Sequence, residues 1–172
     1  MNLVRRLNAL GKEINARYEN INCGGCAVYA ALVAEELVKL GVNVRGITAS
    51  YRMRADLDID KVRPKITKGN PREWSDNGVF FGHVGLEFEH NGKLRHYDSN
   101  GVKAKGTRLM ELPIYNGRLT PKELKTIAGT DEGWNTTFNR RHIPTIRRMV
   151  KEHMAKVDMS PSKGRRQAPA AA

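Results

Sequence analysis

The run from Ala27 to Leu40 (AVYAALVAEELVKL) constrains the fold more than any other segment. It is rich in strong helix formers and apolar on most of its sides. Such a helix has little to show to water, so it predicts a central, largely buried element around which the rest assembles. Asn22 is a candidate N-cap in front of it. Gly41 is a candidate C′ stop behind it.

The flanking segments read as partners for that helix. Leu3, Leu7, Leu10 and Ile14 recur at helical spacing and Val4 widens the stripe, which predicts an amphipathic helix over residues 2–18, weakened in the middle by Gly11. Val42 to Tyr51 is β-branched and alternating, as a strand would be. Residues 52–78 are charged and broken by Pro64, Gly69-Asn70-Pro71 and Asn77-Gly78. They read as a long irregular insertion, a lid or binding loop, with Trp74 lining a groove or packing in the core. Val79 to His90 and Lys93 to Asp98 flank Asn91-Gly92, the pair preferred in a type I′ hairpin turn. Ser99-Asn100-Gly101 then ends the second strand. Thr120-Pro121-Lys122-Glu123 is a capping box with proline at N1, opening a helix that Gly129 closes. A last helix follows Pro144, with Ile143, Ile146, Met149 and Val150 on its apolar side. The expectation is one α+β domain over residues 1–158 and a disordered basic tail over 159–172.

A chain of 172 residues can bury a core without disulfides or a structural metal. No run approaches the roughly 18 apolar residues of a membrane span. The basic start, Met1 to Arg6, is followed by Asn8, Gly11, Lys12 and Glu13, which interrupt any apolar signal segment. A cytoplasmic protein, or one carried in a particle, is expected, with no membrane partner. The net charge of +12 favours an acidic partner, either nucleic acid or an acidic protein. An aromatic content of 6% leaves few platforms for stacking bases.

The two cysteines, Cys23 and Cys26, sit together, which points to metal or catalysis more than to a structural disulfide. Cys26 opens the buried helix after Gly24-Gly25. Backbone N–H groups and the dipole at a helix start stabilise a thiolate, and an N–H of the first turn can donate to an oxyanion. A base is supplied by the hairpin. A two-residue turn at Asn91-Gly92 pairs His90 with Lys93, so Glu87 faces His96 and Gly85 faces Asp98. His83 then lies on the face of Gly85 and Asp98. A carboxylate diagonal to an imidazole can hold it in one tautomer.

These residues carry a resemblance. Gly25-Cys26-Ala27-Val28-Tyr29-Ala30, continuing to Leu40-Gly41-Val42, resembles the Cys-x-x-aromatic-Ala helix of the transglutaminase-like core. Gly82-His83-Val84-Gly85-Leu86-Glu87 resembles its histidine strand, and Tyr97-Asp98-Ser99-Asn100-Gly101 its aspartate strand end. Cys23-Gly24-Gly25-Cys26 is similar to the Cys-Gly-x-Cys segment of papains, and Asn20 takes the place of their oxyanion-hole glutamine. Ala27 replaces the aromatic residue that papains place after the nucleophile, and His96-Tyr97 replaces a tryptophan common before the aspartate. The likeness covers residues 20–102 and extends to small phage or bacterial members of the superfamily. It implies a papain-like or transglutaminase-like fold with Cys26 as nucleophile, His83 as base, Asp98 as orienting acid, and Asn20 or Asn22 supporting the oxyanion. It also implies a protein or peptide substrate and neither cofactor nor metal. Peptidase, amidase, deamidase and transglutaminase chemistry all remain open.

Other readings compete. Cys23-Gly24-Gly25-Cys26 suits a redox motif, but a thioredoxin pattern needs a strand immediately before it. The same pair suits half of a zinc site with His83, His90 or His96, yet a second Cys-x-x-Cys is lacking. Asp56, Asp58 and Asp60 resemble the start of a calcium loop, although Lys61 stands where glycine is required. Arg140, Arg141, Arg147 and Arg148 crowd the last helix and would contact anions in a nucleic-acid-binding or protein-binding module with a degenerate triad.

Overall fold

The computed structural model describes residues 2–18, 21, 25–49, 83–104, 114–128 and 141–159. Among them are four helices and a five-stranded antiparallel sheet, an α+β arrangement. The insertion over 52–78 with Trp74, Gly129, Arg140 and the tail from residue 160 onward lie outside the described residues.

Helix α1, Leu3–Arg17, starts at Asn2, whose side chain accepts the Val4 N–H at 2.8 Å. The expected stripe is its buried face: Leu3, Leu7, Leu10 and Ile14 are each fully buried. Such a side chain contributes about 1.5–3 kcal/mol relative to exposure. Gly11 is part of that face. A methyl group on it would lie 2.5 Å from the Ser99 carbonyl oxygen, so its lack of a side chain lets the helix rest on the turn after Asp98.

Helix α2, Cys26–Lys39, is buried along most of its length, as its composition predicts. It starts at Cys26, with Gly25 as N-cap; Asn22 lies outside the described residues. It ends in a Schellman motif. Gly41 takes φ +74°, its N–H bonds the Val38 carbonyl, and the Val42 N–H bonds that of Leu37.

The strands are β1 Val44–Ala49, β2 His83–His90, β3 Lys93–Asp98, β4 Gly101–Ala104 and β5 Ile114–Leu119, in the sheet order β4-β3-β2-β1-β5. The β2–β3 hairpin has the expected register, with His90 opposite Lys93 and Glu87 opposite His96. Asn91 and Gly92 both take positive φ, 53° and 67°, as a type I′ turn requires. Val84, Leu86 and Phe88 of β2 and Tyr97 of β3 join the helices in the core. His83, Glu87, His96 and Asp98 alternate with them.

Helix α3, Pro121–Ala128, has its capping box in place: the Thr120 N–H donates to Glu123 at 2.7 Å and the Glu123 N–H to Thr120 at 3.2 Å. Helix α4, Ile143–Met154, buries Ile146, Met149, Val150 and Met154. It begins one residue before Pro144 rather than after it, because proline is tolerated in a first turn where its missing N–H costs nothing.

Two strands were not expected from the sequence. Ser99-Asn100-Gly101 ends β3, as read, and Gly101, at φ +102°, also closes a second hairpin and starts β4. Strand β5 pairs with β1 across a register shift that skips Asn116 and Gly117, so a turn-like dipeptide forms a bulge within a strand. Among the described residues, no helix is long and apolar enough to cross a membrane.

Candidate active site

The fold brings three of the sequence-selected residues together. His83 opens β2 and Asp98 closes β3, at the end of the hairpin away from the turn. Their side chains meet with His83 Nε2 3.2 Å from Asp98 Oδ2. Both side chains are 1% exposed, so water does not compete for the contact. Asp98 is itself held: its Oδ1 accepts the Asn100 N–H at 2.8 Å, and Lys103 Nζ stands 3.8 Å from Oδ2. Lys103 was not legible as a neighbour because it sits on β4, which the sequence did not reveal.

Cys26 is the second neighbour of His83. Burial alone would depress the imidazole. Hydrogen bonding to Asp98, and then the influence of the nearby Cys26 sulfur, outweigh it and push the pKa up to about 9. Nε2 is taken by Asp98, so Nδ1 is the nitrogen left to serve the thiol. Nδ1 is buried and in no hydrogen bond of ordinary geometry. The sulfur is thus within electrostatic reach of the ring without a formed bond to it, a common condition of catalytic pairs before substrate binds. Cys26 is 8% exposed against 1% for His83 and 3% for Asp98, so it is the least covered residue of the three.

The helix start completes the arrangement. Gly25 caps α2 without a side-chain hydrogen bond. The first N–H groups of a helix have no carbonyl of that helix to bond, so those of Cys26 and Ala27 suit a developing oxyanion. The oxyanion candidates Asn20 and Asn22 lie outside the described residues, as does Cys23.

The basic cluster on α4 is partly engaged within the chain. Arg147 Nη1 pairs with Glu35 of α2 at 2.9 Å, and Arg148 Nε stands 3.9 Å from Glu152. Arg141 is exposed, just before the helix. The first pair docks α4 on α2, which gives Arg147 a packing role that its sequence position did not reveal.

No family model matches the chain, and neither curated proteins nor solved structures yield a match.

Proposed function

We propose that this protein is a thiol-dependent acyl-transfer enzyme acting on an amide bond, with Cys26 as nucleophile, His83 as base and Asp98 as orienting acid, on a core of papain-like or transglutaminase-like type. The observation that carries the reading is the buried 3.2 Å contact of His83 with Asp98, together with a cysteine at a helix start as the other neighbour of the same ring. The residue order and the helix–strand–strand placement agree with the resemblance of residues 20–102.

The chemistry follows from those contacts. His83 holds the thiol proton, and Asp98 fixes the ring so that Nδ1 faces the sulfur. The thiolate attacks the amide carbon and a C–S bond forms. First-turn N–H groups stabilise the oxyanion. His83 gives its proton to the leaving nitrogen as the C–N bond breaks, leaving an acyl-enzyme. Water or an acceptor amine then gives a proton to His83, attacks the thioester and expels the thiolate. Water makes the reaction a hydrolysis; an amine makes it a transamidation.

Limiting iodoacetamide across a pH series, with the label located by mass spectrometry, tests the assignment. Cys26 is expected to label well below pH 8 and far faster than Cys23. In His83→Ala its rate should fall by about 100-fold, the scale of a lost general base. Equal, ordinary reactivity of both cysteines would sink the triad. Protection of both until a chelator or reductant is added would point to zinc or redox chemistry instead.

A further inference from the structure

We infer that Tyr29 and Tyr97 are positioning residues: a buried phenol-to-phenol hydrogen bond that sets the separation between the helix carrying Cys26 and the strand carrying Asp98. The inference rests on the triad proposed above and deepens it. Tyr29 lies one helical turn after Cys26 on α2, and Tyr97 immediately precedes Asp98 on β3. Their hydroxyls are hydrogen-bonded to each other, and their rings are tilted with centroids 6.0 Å apart. Both residues are buried, at 2% and 1% exposure.

The direction of the bonds is fixed by a third element. The Tyr97 hydroxyl donates to the Leu7 carbonyl of α1 at 3.1 Å. A carbonyl cannot donate, so Tyr97 has spent its proton, and Tyr29 must donate to Tyr97. One directional chain, from Tyr29 to Tyr97 to Leu7, therefore ties α2, β3 and α1 together beside the site. Burial raises the pKa of both phenols, with a smaller push from the charge of Asp98, so both stay protonated and able to donate.

A core needs only apolar bulk at such positions, and phenylalanine would supply it at no desolvation cost. Two buried hydroxyls that satisfy each other add directionality. Here the direction runs from the nucleophile's helix to the acid's strand. Asp98 on β3 holds His83, and the Cys26-to-His83 contact is not a formed hydrogen bond, so small changes in the α2-to-β3 distance should alter thiol activation before they alter the fold.

The test uses the full chain as wild type, Tyr29→Phe and Tyr97→Phe, with Tyr18→Phe as a control outside the pair. Limiting iodoacetamide at pH 6.5 reports activation of Cys26, and a circular-dichroism melt reports folding. Both brace variants should melt cooperatively while Cys26 labelling falls at least about 5-fold. Tyr97→Phe should lose more, because its hydroxyl serves two bonds, and Tyr18→Phe should match wild type. Labelling within about twofold of wild type in folded brace variants would overturn the inference. So would loss of the cooperative melt in both, which would make the pair general core support. Wild-type Cys26 labelling no faster than Cys23 is a different failure: it removes the triad, and the brace falls with it.

Discussion

Strands β2 and β3 carry two imidazole–carboxylate pairs on one face of the sheet. His83 meets Asp98 at 3.2 Å and His96 meets Glu87 at 3.3 Å, and no side chain of the four is more than 4% exposed. In both histidines Nε2 faces the carboxylate and Nδ1 is buried without a hydrogen bond. The pairs differ in their third neighbours. His83 has Cys26, the one free cysteine among the described residues. Glu87 has guanidiniums: Arg45 Nε at 3.3 Å and Arg118 Nε at 3.7 Å from its Oε1. The second cluster links β1, β2 and β5 through opposite charges and reaches β3 through the His96 contact. A buried His–carboxylate contact is therefore not in itself a catalytic signature; what sets the first pair apart is the cysteine beside its ring.

Near-isosteric amides separate the two roles most sharply. Asp98→Asn removes the charge that favours the imidazolium beside Cys26, and labelling of Cys26 at pH 6.5 should fall by about 100-fold. Glu87→Gln should leave that rate within about twofold and instead lower stability by about 3 kcal/mol in urea unfolding, because two guanidiniums lose their counter-charge. Equal loss of labelling in both variants would erase the distinction between the pairs.

The pH dependence of stability probes the first pair. The folded pKa of His83 is about 9 against an ordinary value of 6.5. A raised imidazole pKa contributes stability that is fully present below pH 6.5 and lost as pH rises through 9. From pH 7 to 9.5 wild type should lose roughly 2 kcal/mol that His83→Gln does not. Urea unfolding at a series of pH values reads the difference, and parallel curves for wild type and His83→Gln would remove the charged imidazole from the account.

The sequence revealed the site wherever a short-range rule settled the geometry. Asn91-Gly92 admits one hairpin register, and period two then places His83 and Asp98 on one face. The composition of α2 and Gly41 delimit the helix that Cys26 opens, and Thr120 to Glu123 announce their own cap. What was hidden depends on contacts between distant segments. Strand β4 is four residues long and begins at a glycine that reads as a breaker. Strand β5 carries Asn116-Gly117, a turn signal that pairing with β1 converts into a bulge. Without those strands Lys103 had no place beside Asp98, nor Arg118 beside Glu87. The Tyr29–Tyr97 bond joins residues 68 positions apart, and no local pattern predicts it.

Gly11 is the hidden feature that bears most directly on the comparison. In an ordinary helix interior, Gly→Ala stabilises by roughly 0.5–1 kcal/mol. Here the added methyl would stand 2.5 Å from the carbonyl oxygen of Ser99 and 3.2 Å from its carbon, and backbone cannot swing aside as a side-chain end can. Asn15 holds the same carbonyl at 2.9 Å, and Asn8 accepts the Val102 N–H at 2.7 Å, so α1 is pinned on both sides of the contact. Overpacking of this kind costs about 1–3 kcal/mol, which exceeds the helix gain and leaves a net loss of about 1 kcal/mol. The displacement would reach Ser99, the residue after Asp98, and not Glu87 or His96. Gly11→Ala should therefore slow Cys26 labelling severalfold while leaving the added cost of Glu87→Gln unchanged when the two are combined. A Gly11→Ala protein that is more stable than wild type and labels at the wild-type rate would show that α1 does not seat the acid of the first pair.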